Sequence, residues 1–291
     1  MFAVQEPLDS LRAIAVTAAG LRAGTARGGI VANEDVNLPG GGSRGLALDA
    51  LARPITILVG HVGSGKTEIA VNLAFGLRNR GIEVILIDLD LVKPYFRSRL
   101  VREDLEVRGI RLVAPAGDRF YADLPILVPE ARAAARNGAG RETRVILDVG
   151  GDHLGARVLG SLAALLDRTA VDLLFVVNAN RPFAEDLPSM RTTLYEVQAA
   201  ARLEVTGLVA NTHLMHETTR ETVLDGIRAA RALEAATGIP ARFCAMLADL
   251  ARAFGGPEGN AENLPILAME RHIVAPFAPK PCGTRRRSAV V

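Results

Sequence analysis

Phosphate chemistry needs few residue types: backbone N–H groups freed by glycine, a lysine, a hydroxyl, and one or two carboxylates. The stretch GHVGSGKTE, Gly60 to Glu68, contains the first three in fixed order. Gly60, Gly65, Lys66 and Thr67 fit the spacing G-x-x-x-x-G-K-[ST], with an apolar run before it and a helical pattern after it. Small residues let the N–H groups of His61, Val62, Gly63 and Ser64 turn inward around phosphates. A helix beginning near Lys66, with Glu68 in its first turn, adds its positive end. Lys66 then reaches the terminal phosphates of a nucleotide, and the Thr67 hydroxyl binds Mg²⁺.

Carboxylates stand at two further points. Asp148 closes VILD, where a strand-end carboxylate would hold the water shell of the metal. It opens DVGGD, whose Gly150 and Gly151 give backbone that can approach a γ-phosphate and move when it leaves. In IDLD, Asp88 and Asp90 are two residues apart, a spacing that puts both on one face of a strand.

Such groups need elements to hold them. Continuous apolar runs, ITILVG, EVILIDLD, IRLVAP, RVILDVGG, DLLFVVNAN, EVTGLVANT and ARFCAML, alternate with segments of helical period. Strands without polar alternation are covered on both faces, which calls for a mainly parallel sheet with crossover helices. The fold class is α/β: a doubly wound sheet with helices on both faces, gathering its chemistry outside the carboxyl ends of the strands. Residues 53–275 form this nucleotide-binding domain. Residues 1–52 are a flexible extension ending in the glycine-rich linker NLPGGGSRG, and residues 276–291 are a small basic tail.

Composition excludes several classes. The chain is 49% hydrophobic and 23% charged, with 34 basic and 32 acidic residues and a net charge of +2. So balanced a charge gives no global field for nucleic acid. No apolar run is long enough to span a bilayer, and the two cysteines, Cys244 and Cys282, form no metal-binding pair. A cytoplasmic location is the expectation.

The motifs GHVGSGKT, LIDLD, LDVGGD and the late GLVANT together resemble the MinD/ParA-like ATPases of the CobQ/CobB/MinD/ParA nucleotide-binding family, relatives of the nitrogenase iron protein. The resemblance runs from about Pro54 to Leu250 and implies ATP and Mg²⁺ as ligands. It makes Asp90 the residue that orients the attacking water, Asp88 a Mg²⁺ or structural partner, and Asp152 a second candidate for sensing or activating water. It places Asn211 at the adenine edge, with Asn178 a weaker base-side candidate. It also implies a nucleotide-dependent homodimer, but His61 stands where many members carry a second lysine that reaches the partner's phosphates. An imidazole is shorter and titrates near neutrality, so a constitutive charge delivered in trans does not carry over. The iron-protein cysteines, a glutamine amidotransferase domain and a basic amphipathic terminal helix are all missing from the sequence. Reductase chemistry, cobyrinate amidation and MinD-style membrane cycling are therefore disfavoured. The guanine-reading Asn-Lys-x-Asp motif is absent at NTHL, Asn211 to Leu214, which favours ATP.

The least generic segment, KPYFRSR from Lys93, follows Asp90 and is kept from immediate helix by Pro94. It reads either as a partner-binding loop coupled to the γ-phosphate or as aromatic residues packed on the core. NANRPFAED, with Arg181, is a second such loop. The expected function is a slowly hydrolysing Mg·ATP switch acting on a protein partner. A P-loop kinase with a hydroxyl acceptor, or a non-hydrolysing scaffold, are the alternatives.

Overall fold

The computed structural model describes residues 44–90, 102–113, 143–151, 153–181, 186–256 and 259–273. Asp152, KPYFRSR, the basic tail and residues 1–43 lie outside the described residues. Among the described residues, nine strands form one sheet: β1 Ile55–Gly60, β2 Glu83–Leu89, β3 Arg111–Val113, β4 Thr143–Val149, β5 Val171–Val177, β6 Gly207–Ala210, β7 Ala241–Leu247, β8 Asn260–Ala261 and β9 Leu264–Met269. Their order is β3-β2-β4-β1-β5-β6-β7-β9-β8, parallel throughout except where β8 pairs antiparallel with β9.

The apolar runs become strands because each alternates between two covered faces rather than between core and water. Ile55, Ile57 and Val59 of β1 point into one core layer, which is closed by the helices His153–Leu162 and Leu187–Ala201. Leu58 points into the other, with Ile69, Leu73 and Phe75 of the helix Lys66–Asn79. The helix Arg220–Thr237 buries Val223, Ile227 and Ala230 against Met246 and Ile266 at the far end of the sheet. Its start is fixed by a capping box in which Thr219 and Thr222 satisfy each other's backbone N–H.

Three departures from the sequence reading have physical causes. Residues assigned to the linker are partly folded: Arg44–Asp49 is helical, and Ala47, Leu48 and Leu51 are buried against the helix Lys66–Asn79. Cover on this side explains why that helix is apolar on nearly all sides. The strands β8 and β9 extend the sheet beyond ARFCAML, where no strand was expected. Finally, β2 ends at Leu89, so the one-face alternation expected for Asp88 and Asp90 stops before Asp90, which lies outside the strand.

Candidate functional site

β1 lies between β4 and β5, so chain leaving its carboxyl end enters the crevice where strand order reverses. His61 to Gly65 fill that crevice and lead into the helix Lys66–Asn79, the loop helix. The N-cap, Gly65, is left-handed at φ 90°, and a Cβ there would lie 2.2 Å from Asn211 Nδ2. Only glycine satisfies both demands. No side chain caps this helix, so its first N–H groups are left to meet an anion. The Asn211 amide donates to the Ser64 carbonyl at 2.7 Å and braces the loop from the end of β6. Lys66 Nζ crosses the loop to donate to the carbonyls of Gly60 at 3.0 Å and His61 at 2.9 Å.

The end of β4 closes against this loop. A Cβ on Gly151 would lie 2.6 Å from Val62 N and 2.7 Å from Lys66 Nζ. The two backbones thus approach closely beside the Lys66 ammonium.

Beneath the loop, Asp88 and Asp148 are register partners on β2 and β4, 0% and 1% exposed. Burial is the main reason the Asp148 carboxyl is pushed up to about 7, and the Asp88 charge adds to it; a hydrogen bond with Thr67 and the Lys66 cation oppose the rise, and Asp90 reinforces it. Asp148 Oδ2 is buried without a hydrogen-bond partner. Two carboxylates, one of them with an oxygen left without a hydrogen bond, and a threonine hydroxyl fit a hard divalent cation such as Mg²⁺. No group of three or more His, Cys, Asp or Glu among the described residues forms a protein cage, so phosphate and water would complete the shell. Asp90 donates its N–H to Asp88 Oδ1 at 3.0 Å, and its own carboxylate lies over Gly150.

From this end a cleft of about 720 Å³ runs from Lys66, Thr67 and Asp90 to an apolar end with Met215, Met246, Leu250 and Met269. Three residues that line it were not read as ligand groups from the sequence. Arg181 donates from Nε to the Gly63 carbonyl at 2.9 Å, and Arg271 reaches the cleft from beyond β9. His213 is depressed to about 4, first by burial and then by the Arg181 and Arg271 cations, against a hydrogen bond to the Gly63 backbone; it is neutral at physiological pH. Single arginines and histidines in loops carry no spacing signal, so only the fold brings them together.

The other expected ligand groups have defined surroundings. Asn178 is buried, with Oδ1 accepting from Asn180 N–H at 3.1 Å, and does not line the cleft. Glu68 lines the cleft, but its oxygens accept the N–H groups of His272 at 2.5 Å and Ile273 at 3.1 Å. Burial raises its carboxyl, and the two N–H groups and the Arg271 cation oppose that rise. His61 faces a second cleft of about 570 Å³ across the loop, with Gly150, Ser189, Thr192, Thr193 and Glu196. Val62 and Gly151 line both clefts.

The family model of the CobQ/CobB/MinD/ParA nucleotide-binding domain matches residues 55–237. No curated protein shows a match to the chain. Similar solved structures include the signal recognition particle receptor FtsY from Elizabethkingia anophelis, at TM-score 0.42 and 21% identity, covering 69% of this chain and 64% of that one. Another is the signal recognition particle 54 kDa protein from Aeropyrum pernix K1 in complex with GDP, at 0.43 and 21%, covering 65% and 40%. FtsY from Mycoplasma mycoides is similar at 0.46 and 18%, covering 66% and 59%. The chain thus spans 40% to 64% of the lengths of these three proteins. No helix among the described residues is long and apolar enough to cross a membrane.

Proposed function

The chain belongs to the CobQ/CobB/MinD/ParA nucleotide-binding family, and on that premise we propose that it is a Mg·ATP-dependent switch that hydrolyses slowly and acts on a protein partner. The observation that carries this reading is the contact of Gly151 with Val62 above Lys66. A γ-phosphate held by Lys66 has to part these backbones, so occupancy becomes displacement at the end of β4.

Each residue has a distinct task. Lys66 and the N–H groups at the start of the loop helix neutralise phosphate charge. Thr67 and Asp148, with Asp88 behind them, would hold Mg²⁺. When bound, the ion supplies charge neutralisation between the β- and γ-phosphates. Asp90, seated over Gly150, orients water toward the terminal phosphate, and Asp152 follows the same switch in sequence. Asn211 sets the loop position from the base side. Adenine is favoured over guanine because the guanine-reading Asn-Lys-x-Asp motif is absent at Asn211 to Leu214, and the far end of the cleft is apolar and rich in methionine.

ADP production with Mg·ATP, alone and with a panel of small hydroxyl acceptors, tests this reading. Slow turnover independent of acceptor is expected. Lys66→Ala should lower nucleotide affinity at least about a hundredfold, and normal affinity in that variant would defeat the assignment. A kinase reading is favoured by one observation, the second cleft that shares Val62 and Gly151 with the phosphate site. Acceptor-dependent ADP release by a monomer would establish it instead.

A further inference from the structure

Beyond β9, residues 270–273 lie along the loop helix from Glu68 to Phe75. Glu270 pairs through its N–H and C=O with the Asn72 side chain, at 2.9 Å in both directions. Glu68 then takes the N–H groups of His272 and Ile273. The His272 ring meets the Phe75 ring edge to face at 4.7 Å. This strap, with Met269 before it, contributes Arg271 and Ile273 to the wall of the 720 Å³ cleft.

We infer that Glu68 is a positioning residue for the nucleoside: it ties the strap 270–273 to the same helical turn that carries Lys66 and Thr67, and so builds the nucleoside end of the cleft. Lys66 and Thr67 face the phosphates, and the next residue turns its carboxylate away from them to a separate segment of chain. Both of its oxygens are taken by backbone N–H groups, a pattern that fixes a segment rather than binds a ligand. Beyond these bonds the strap is held by the His272–Phe75 ring contact and by Ile273 packed on the core. Without Glu68 and Asn72, the Arg271 and Ile273 part of the wall loses these hydrogen-bonded anchors, while the phosphate loop, braced by Asn211 and Gly60, keeps its own. The inference rests on reading the cleft as a nucleoside triphosphate site.

Comparing ATP with inorganic tripolyphosphate separates the two ends of the cleft. By titration calorimetry with Mg²⁺, Glu68→Gln should weaken ATP about tenfold and leave tripolyphosphate within about twofold, because the amide presents an N–H to a backbone N–H. Parallel loss of both ligands, or no loss of ATP, would overturn the inference. Should that variant not fold, amide hydrogen exchange on the unaltered chain decides. ATP should protect the amides of residues 271–273 and tripolyphosphate should not; equal protection by both, or by neither, overturns it. An unaltered chain that binds tripolyphosphate but no ATP would instead defeat the ATP assignment, before any variant is compared.

Discussion

Two buried aspartate environments sit at opposite ends of the strands and are handled in opposite ways. At the amino end of β5, Asp172 is 0% exposed. It accepts the Arg53 backbone N–H at 2.9 Å and the Thr206 hydroxyl at 3.4 Å, with the Arg242 guanidinium at 3.5 Å and that of Arg53 at 3.9 Å. At the carboxyl end of β4, Asp148 is as deeply buried, faces another carboxylate, and keeps one oxygen without a partner. The first charge is compensated entirely by the fold. The second is compensated only in part, by the Thr67 hydrogen bond and the Lys66 cation. Burial alone therefore does not tell the two carboxylates apart; the deficit of compensation around Asp148 does.

The contrast can be broken most sharply at Asp172. Asp172→Ala removes the shared acceptor for two arginines and should cost about 4 kcal/mol in urea denaturation, while nucleotide affinity of the folded fraction stays unchanged. Comparable loss of nucleotide binding at low denaturant would show that the two ends are not independent.

Asp148 should behave in the reverse sense. Its folded pKa lies above its ordinary 3.8, at about 7, so its contribution to stability is fully present below pH 3.8 and is lost as pH rises to about 7. In EDTA the chain should be less stable at about pH 8 than at about pH 5, by about 3 kcal/mol, and Mg²⁺ with nucleotide should remove the slope. Asp148→Asn should flatten the slope in EDTA, raise the thermal midpoint of the nucleotide-free protein, and abolish the Mg²⁺-dependent part of nucleotide binding. A lower midpoint for Asp148→Asn than for the unaltered chain at about pH 8 would mean that the carboxylate is already paired. The smallest effect is expected of Thr206→Val, about 1 kcal/mol in the same denaturation assay, since the arginines remain on Asp172.

The sheet, the loop and the strand-end positions of Asp88 and Asp148 were legible because each has a local signature: unbroken apolar runs, glycine spacing, and acids at the ends of those runs; that Asp88 pairs with Asp148 rather than sharing a face with Asp90 was not. β8 and β9 were not. Their hairpin turns through Glu262 and Asn263, at φ 49° and 62°, instead of the Asn-Gly or Gly-Gly pair that normally advertises such a turn. Pro265 inside LPILAM obscured the strand further. The cleft wall was hidden for a different reason: Glu68 and residues 270–273 are about two hundred positions apart, a long-range contact with no repeating pattern to announce it.

Gly150 and Gly151 look interchangeable in the sequence, yet the fold gives them different alphabets. A methyl on Gly150 would press on a movable carboxylate, whereas one on Gly151 would strike the loop backbone itself. The second letter of the pair therefore carries far more information than the first. Read as a message, DVGG specifies one separation between two peptide planes, and the error it tolerates is smaller than a methyl group.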